Sequence, residues 1–377
     1  MPLDFERAVL RPRDAADAAD IVAAAQRPLE PVGGGSKRAI GRPIEADLLD
    51  LGELAGIVTY EPAELVLTAQ AATPLATLDA ALAAHGQRLA FEPPDFGALL
   101  GVRGEQTIGG VLAANLAGSR RVAAGAARDH FLGFNAISGR GERFKAGGNV
   151  VKNVTGYDLP KLLAGSWGTL AVLTDVTLRV TPAAELDRTL VVASATPAAS
   201  VALLIAALGS RHDVSAAGFD PARGSLLRIE GFAPSVAARA DALCAELRAT
   251  PVEVVDGAAS RQLWHAHASA VVLAASRVVW RISVPPADAP AVLEKLRPLR
   301  YLLDWGGGLI WAGFDAVDGA RVRGAFGAGH ATLIKAPVAD RAATAVFQPQ
   351  PAVAVAAGAR LKAAFDPRGV LNPGRMG

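Results

Sequence analysis

The chain has little cysteine, little tyrosine and almost no net charge. Cys244 is the only cysteine among 377 residues, which excludes an internal disulfide and an iron–sulfur cluster held by this chain alone. The 38 basic and 36 acidic residues leave a net charge of +2, which gives no electrostatic case for binding nucleic acid. Because much of the 51% apolar fraction is alanine, the cores should contain many small side chains.

A secretion signal and long apolar runs are also missing. The N-terminal MPLDFERAVLRPRD has no apolar core of the signal-peptide kind. The longest apolar runs, such as AVVLAA at 270–275, are too short to span a bilayer. We therefore expect a cytoplasmic protein that meets the inner face of the cell membrane only peripherally, through partners.

The length and the pattern of elements favour two domains of the α+β class. The chain exceeds the ~100–200 residues of a typical domain. GTLAVLTDVTLRVTP at 168–182 predicts a long strand, and Pro182 with the following AAELD predicts a boundary. Beyond it, strands alternate with predicted helices at 197–208, 234–249 and 287–297, and a hairpin is predicted at 303–313.

The first motif is PVGGGSK at 31–37. Its glycines and serine can form a loop whose backbone N–H groups converge on an anion. It has neither the Walker spacing nor the Rossmann spacing. A flexible turn is the alternative interpretation.

The second motif is TIGGVLAANLAG at 107–118. It predicts a helix with Thr107 as N-cap and Gly118 as its stop. Gly109 and Gly110 each cost roughly 1 kcal/mol against alanine inside a helix, so something should offset them. Close approach of a ligand to the backbone is our preferred reason, and helix–sheet packing is the alternative.

The third motif, GGNVVKNVTGYDLPKLLAGSWGT at 147–169, gathers many hydrogen-bonding groups. Asp158 can cap the short helix that follows it. The glycines at 165 and 168 would bring the backbone beside a ligand before the long strand begins.

The order of these motifs, with RDHFLG at 128–133 and the terminal FDPRGVLNPGRMG, resembles the vanillyl-alcohol-oxidase or PCMH-type FAD-binding family. Within that family, GGLIWAG and GHATLIKAP extend the resemblance over nearly the whole chain to the FAD-binding subunits of bacterial glycolate oxidase (glycolate dehydrogenase) complexes. The resemblance implies a PCMH-type FAD-binding domain at 1–182, made of two α+β subdomains at about 1–55 and 56–182. A smaller α+β, ferredoxin-like substrate or cap domain would follow at 183–345, and a C-terminal arm at 346–377 would pack back toward the FAD domain.

The resemblance also implies which residues hold the FAD between the two subdomains. The pyrophosphate would be wrapped by Val32, Gly33, Gly34, Gly35, Ser36 and Lys37. The flavin side would be lined by Thr107, Ile108, Gly109, Gly110, Ala113, Ala114 and Gly118. The clamp would be completed by Asn149, Lys152, Gly156, Gly165, Ala171 and Val172.

Two departures from the family pattern change these expectations. Many relatives tether the flavin to a histidine in or near the glycine loop, but Lys37 follows Ser36 here, so we expect noncovalent FAD. The HPxGDGNxH metal motif of some relatives is missing. His265 and His267 are two residues apart in a helical pattern and would not share a face, so no metal site is predicted.

The catalytic residues are not identified by the sequence. Oxidation of a 2-hydroxy acid needs a flavin to take the hydride, a base to take the hydroxyl proton and a cation to hold the carboxylate. Tyr157 and Lys152 lie in the clamp, and Arg277 and Arg281 flank the strand VVW, so these four are the candidates. An ordinary exposed strand face is the alternative explanation of the two arginines.

Three functions remain open from the sequence. The first is an FAD subunit of a glycolate-oxidising complex that forms a 2-oxo acid and passes electrons to an iron–sulfur subunit, with a homologous flavin subunit as second partner. The second is a stand-alone FAD oxidoreductase of another hydroxy acid or a lactone. The third is a noncatalytic flavin relay or assembly subunit. We expect the first.

Overall fold

A computed structural model describes residues 7–148, 157–249 and 251–377 of the chain. Helices and strands are mixed along this length, and the strands form three sheets. Within the described residues, no helix has both the length and the hydropathy that a membrane span requires.

The first sheet is small, parallel and N-terminal. Its strand order is β1-β3-β2. The helix between its first two strands begins at Asp14, whose carboxylate accepts from the N–H groups of Ala16 and Asp17, and it buries Ala18 and Val22 against the sheet. The elements are β1 (Val9–Leu10), α1 (Ala15–Ala24), β2 (Leu29–Val32) and β3 (Asp47–Asp50).

The second sheet is six-stranded and antiparallel. The long strand predicted at 168–182 is observed as Ala171–Pro182, and it pairs with three neighbours because it lies at the centre. The elements are β4 (Ile57–Glu61), β5 (Val66–Gln70), α2 (Leu75–Ala83), β6 (Gln87–Leu89), α3 (Gly97–Leu100), α4 (Ile108–Ala114), α5 (Arg121–Ala124), β7 (Phe131–Ser138), β8 (Arg143–Gly147), α6 (Leu159–Leu163) and β9 (Ala171–Pro182).

The third sheet has eight antiparallel strands in the order β13-β10-β12-β11-β15-β16-β14-β17. Its elements and the two helices that follow are β10 (Leu186–Val192), α7 (Pro197–Leu208), β11 (Val214–Asp220), β12 (Gly224–Gly231), α8 (Ala233–Leu247), β13 (Pro251–Asp256), α9 (Gly257–Ala268), β14 (Val278–Ser283), α10 (Ala289–Leu296), β15 (Arg300–Asp304), β16 (Leu309–Phe314), α11 (Gly319–Gly324), β17 (His330–Lys335), α12 (Val338–Ala343) and α13 (Ala352–Phe365).

This large sheet consists of two ferredoxin-like βαββαβ units placed side by side. The first unit runs from β10 to β13 and the second from β14 to β17, and both have the same connectivity. They join where Phe219 on β11 pairs with Leu303 on β15. The sequence shows no internal repeat, because what is repeated is the topology and not the residues.

The two faces of the eight-stranded sheet have different neighbours. On β14, Val278, Trp280 and Ile282 belong to the core under α7, α8 and α10. The alternate residue Val279 packs on the other face in a cluster that includes Phe96 of the preceding half. Because side chains alternate along a strand, Arg281 points to this second face, toward the half that contains the first two sheets.

The C-terminal segment returns to the first sheet. Leu29 N–H donates to the carbonyl of Val370, and Asn372 N–H donates to the carbonyl of Leu29. Lys362 donates to the carbonyl of Thr169 at 2.6 Å and so ties the end of α13 to the second sheet. These bonds bring the last residues of the chain beside the glycine-rich loop.

Candidate cofactor-binding site

A cleft opens between the glycine-rich loop, helix α4, the start of β9 and the C-terminal segment. Its empty volume is about 890 Å³, and it is open to solvent on one side. Thirteen residues that the family resemblance assigns to the FAD line it, namely Val32, Gly33, Gly34, Gly35, Ser36, Lys37, Thr107, Gly109, Gly110, Ala113, Ala114, Ala171 and Val172.

Three other predicted residues that the structure describes, Ile108, Gly118 and Gly165, do not line this cleft. Ile108 is fully buried in the core of the second sheet. Gly118 packs against Glu92 instead, and its N–H donates to the Glu92 carbonyl. Gly165 has φ +83 and lies behind α4, where its N–H donates to the carbonyl of Leu112. Asn149, Lys152 and Gly156 lie outside the described residues.

The loop requires its three glycines for two different physical reasons. A Cβ on Gly33 would meet Thr107 Oγ1 at 2.5 Å, and a Cβ on Gly34 would meet the Glu105 carbonyl oxygen at 1.9 Å. Packing of the loop against 104–107 therefore requires these two glycines. Gly35 has φ +74, so the left-handed backbone of the turn requires the third.

The two glycines of helix α4 also have different surroundings. A Cβ on Gly109 would meet Ala71 Cβ at 2.7 Å. This glycine is therefore required by helix–sheet packing, whereas close approach of a ligand was the preferred prediction. Gly110 is exposed and lines the cleft, and a Cβ there would meet only Thr107 Oγ1, at 3.2 Å. The helix also ends earlier than predicted. Asn115, with φ 48, terminates it before Gly118 is reached.

Lys37 supplies a positive charge to the cleft. Its Nζ donates to Gln106 Oε1 at 2.7 Å, and none of the described carboxylates lies within ion-pair distance. Burial lowers the pKa of Lys37 to about 8, and Asp95 offsets this effect only in part. An anion in the cleft would therefore find a cation that forms no ion pair with a described carboxylate.

A buried carboxylate fixes the edge of the cleft. Glu30, on β2, accepts from Arg38 at 2.7 Å and from Arg375 at 2.5 Å. Burial raises the pKa of Glu30, but the hydrogen bond from Arg38 and the charges of both arginines outweigh that effect and lower it. The network joins the glycine-rich loop to the C-terminal segment, so both walls of the cleft depend on it.

The sequence reasoning missed Trp167 and Asn372. Trp167 lies in the GSWGT turn with φ 54, and its carbonyl accepts from Asn372 Nδ2 at 2.8 Å. The Asn372 Oδ1 atom is buried and has no hydrogen-bond partner among the described residues. The terminal NPGR motif was part of the family resemblance, so it was the available signal.

The residues present fit an FAD. The cleft offers backbone freed by Gly35 and Gly110, an uncompensated ammonium at Lys37 and a buried amide oxygen at Asn372. An anionic diphosphate suits the first two features. A ring N–H donor suits the third, because an unpaired buried acceptor is unfavourable until it is satisfied.

The four catalytic candidates have different surroundings. Arg281 is 7% exposed, and its Nε has no partner among the described residues. Arg277 is exposed and forms an ion pair with Asp340 at 3.2 Å, so its charge already has a partner. Tyr157 is 91% exposed. Lys152 lies outside the described residues.

Burial and the nearby Arg121 lower the pKa of Arg281 to about 10, so it stays charged at neutral pH. Its guanidinium carbon lies 4.7 Å from the centroid of the Trp305 ring and 5.8 Å from that of Trp311. A buried cation without a counterion is the kind of group that a substrate carboxylate would neutralise.

The histidines form no metal centre in the part of the chain that the structure describes. Helix α9 buries His267 and leaves His265 exposed, so the two side chains point apart. His130 is packed. Its ring stacks on Phe91 and hydrogen-bonds the carbonyl of Ala124 at 2.7 Å.

The chain is similar to known FAD-binding proteins. Residues 7–147 match the model of an FAD binding domain. The chain aligns over 97% of its length with the solved structure of alkyldihydroxyacetonephosphate synthase, covering 76% of that chain with a TM-score of 0.69 at 15% identity. The predicted PCMH-type FAD-binding fold of the α+β class is therefore confirmed, as is FAD as the cofactor.

The family follows from closer relatives. The chain is 37% identical over 361 residues to the glycolate oxidase subunit GlcE of Escherichia coli K12, covering 93% of this chain and 92% of that protein. It is 32% identical over 187 residues to the glycolate oxidase subunit GlcD of Bacillus subtilis 168, covering 48% of this chain and 38% of that protein. The chain belongs to the family of the glycolate oxidase subunit GlcE.

Proposed function

We propose that this chain is the FAD-binding subunit of a complex that oxidises glycolate. The observation that carries the proposal is the similarity to GlcE over 93% of the chain, together with a cleft that fits FAD. The relatives are named as subunits, which supports assembly with other chains. A homologous flavin subunit and an iron–sulfur subunit are the proposed partners, and the proposed location is cytoplasmic or peripheral at the membrane.

The cofactor would be held without a covalent bond by the thirteen cleft residues named above. Lys37 and the glycine-rich loop would bind its diphosphate, and Gly110 would let the helix backbone approach it. Asn149, Lys152 and Gly156 remain part of the proposed set from the sequence. A bound FAD would supply the acceptor for the hydride of the substrate α-carbon.

Arg281 would hold the substrate carboxylate. In the reaction the 2-hydroxy acid loses two electrons and two protons, and its carboxylate keeps its charge throughout. A cation that binds that charge therefore orients the α-carbon without taking part in the electron transfer. The burial of Arg281 on the sheet face that packs against the FAD-binding half supports this role.

The test is a set of anaerobic absorbance spectra of the purified FAD-loaded chain before and after glycolate is added. Bleaching of the flavin bands would place the oxidation at this flavin. Acid precipitation should release all of the flavin, as noncovalent binding requires. Arg281→Gln should slow glycolate-dependent bleaching at least tenfold. Arg300 is an exposed arginine on β15, so Arg300→Gln should leave the rate of bleaching unchanged.

Other results would contradict the proposal. Flavin that stays oxidised with glycolate, both alone and with the partner subunits, would make glycolate the wrong substrate. Flavin that is reduced only after partners are added would support the relay or assembly function. Reduction by another hydroxy acid and not by glycolate would favour the stand-alone oxidoreductase.

A further inference from the structure

Trp305 links the two halves of the molecule immediately after β15. Its backbone has φ 54, a left-handed conformation that is unfavourable for a bulky residue and is held by the surrounding contacts. Its indole N–H donates to the carbonyl of Gly118 at 3.0 Å, on the FAD-binding side of the interface. The ring is therefore fixed in direction at the contact between the eight-stranded sheet and the preceding half.

Asp304 reinforces this contact from the interior. It is fully buried, accepts from Ser119 Oγ at 2.6 Å across the interface, and accepts from the Trp305 backbone N–H at 2.8 Å. Burial raises the pKa of Asp304, although His267, Ser119 and the Trp305 backbone oppose the rise. Asp304 and Trp305 of the eight-stranded sheet side are thus hydrogen-bonded to Ser119 and Gly118 of the other half.

Two guanidinium groups from different halves lie over the fixed ring. The Arg281 guanidinium carbon, from β14, is 4.7 Å from the ring centroid, and that of Arg121, from α5, is 5.3 Å from it. The electron-rich face of an indole attracts such cations. Both guanidinium groups therefore have a favourable contact with the same ring, although Arg281 is buried and Arg121 is exposed.

No ion pair neutralises either arginine among the residues that the structure describes. Asp304 affects the pKa of Arg281 but lies outside ion-pair distance. His330, on β17, lies near both arginines, since burial and the charges of Arg281 and Arg121 all lower its pKa. Among the described residues, the nearby acidic group is therefore Asp304, whose carboxyl is already hydrogen-bonded to Ser119 and to the Trp305 backbone and forms no ion pair with either arginine.

We propose that Trp305 is a positioning residue that aligns Arg121 and Arg281 as a two-cation site for one carboxylate, assembled from both halves of the molecule. The inference rests on the proposed function for the identity of the carboxylate, but the site itself follows from the stacking contacts and the missing counterion. Trp305 acts through the two arginines and does not itself have to touch the substrate.

The test uses the FAD-loaded full chain and its complex, with Trp305→Phe and Trp305→Leu as variants. Oxalate is the binding probe, since it is close to glycolate in size and has no hydrogen to transfer. Its dissociation constant is read from the perturbation of the flavin spectrum. We expect it to rise at least tenfold in the leucine variant, and about threefold in the phenylalanine variant, which keeps a ring but loses the bond to Gly118.

The steady-state readout separates positioning from folding. In the complex, Trp305→Leu should raise the KM for glycolate at least tenfold while kcat falls less than threefold. Trp264→Phe is the matched control, because Trp264 is buried elsewhere against Thr189 and should leave both the KM and the oxalate affinity unchanged. Circular dichroism checks that each variant is folded. If the leucine variant is not folded, the oxalate affinity of the phenylalanine variant tests the proposal.

The outcomes distinguish this inference from the proposed function. Wild-type protein that fails to bind oxalate, or folded Trp305 variants that bind it as wild type does, would overturn the site. Oxalate binding that depends on Trp305, with a flavin that glycolate does not reduce, would keep the site and refute the function. Reduction by glycolate that is indifferent to Trp305 would keep the function and refute the site.

Discussion

At the scale of single residues, half-buried Lys37 and buried Arg281 have no carboxylate within ion-pair distance among the described residues. In the described part of the chain, Lys37 donates to the neutral acceptors Gln106 and Ser36, and the Arg281 guanidinium lies over aromatic rings and forms no ion pair. Burial of a charge normally costs stability unless the charge is paired. A ligand that supplies the missing negative charge is the simplest compensation in both cases.

Arg281→Met tests the cost of the unpaired guanidinium. Methionine keeps an unbranched chain over Trp305 and removes the charge, so the free energy of unfolding of the oxalate-free protein should rise by about 1–3 kcal/mol. Urea unfolding measures the change. Oxalate should stabilise the wild type and not the variant. A variant less stable than wild type would show that the charge is already compensated.

Lys37 gives the FAD affinity a pH dependence. Its pKa of about 8 means that it is charged at pH 7 and largely neutral at pH 9 in the cofactor-free protein. An anionic diphosphate favours the charged form, so the dissociation constant of FAD should rise up to about tenfold between these pH values. Quenching of flavin fluorescence measures it.

Lys37→Gln should weaken FAD binding at pH 7 and remove this pH dependence. Lys161→Gln is the matched control, since Lys161 pairs with Asp158 in a more exposed position. An unchanged affinity in Lys37→Gln at both pH values would mean that Lys37 does not bind the diphosphate.

At the scale of secondary structure, helix α4 shows how one motif combines packing and access. Gly109 faces Ala71 with no room for a methyl group, whereas Gly110 faces the cleft. The same residue type is thus required for two reasons on neighbouring positions, because successive residues of a helix point about 100° apart.

Substitution of the two glycines should separate these reasons. Gly109→Ala should destabilise the apoprotein by about 1–3 kcal/mol through overpacking. Gly110→Ala should leave the apoprotein equally stable, or more stable by up to about 1 kcal/mol, because alanine favours the helix. The second variant should nonetheless bind FAD more weakly. Thermal unfolding of the apoprotein and FAD titration measure both effects.

If Gly110→Ala bound FAD as tightly as wild type, α4 would not approach the cofactor as proposed. If Gly109→Ala were as stable as wild type, the contact with Ala71 would relax at no cost.

At the scale of the whole molecule, a buried charge network joins the two halves. Glu230, on β12, lies 2.6 Å from Arg88 and 2.8 Å from Arg120 of the FAD-binding half. Arg228, on the same strand, pairs with Asp187 and reaches Glu92 at 2.9 Å. Removing one member leaves the others charged and buried, so the network should resist separation of the halves.

Glu230→Gln should destabilise the protein by about 3–5 kcal/mol at pH 7, the usual cost of breaking a buried pair. Burial raises the pKa of Glu230, but Arg228, Arg120 and Arg88 outweigh it and lower the value to about 2. The folded pKa lies below the unfolded one, so the stabilisation is present above about pH 4.5 and is lost as the pH falls toward 2.

Urea unfolding at pH 7 and pH 3 measures this difference, which should shrink at the lower pH. Glu142→Gln is the control, because the Glu142 side chain is 68% exposed and lies 4.0 Å from Arg140, so it should matter little. Equal stability of Glu230→Gln and wild type at pH 7 would contradict a network that holds the halves together.

Much of the fold was predictable because its signals are local. The helix predicted at 197–208 is observed at Pro197–Leu208, where proline occupies the first helical position and Thr196 caps it. The hairpin predicted at 303–313 is observed as β15 and β16. The end of α4 was not predictable, since Asn115 adopts the left-handed conformation only in this packing.

The sequence by itself determined most of the elements, because glycine turns, helix caps and alternating strands are local requirements of the backbone. It indicated the cofactor class through its resemblance to a known family. Only the tertiary structure decided which charges are paired. Arg277 and Arg281 are four residues apart, yet one meets Asp340 at the surface and the other lies buried over Trp305. Pairing depends on residues distant in the chain, so no local pattern could distinguish the two arginines.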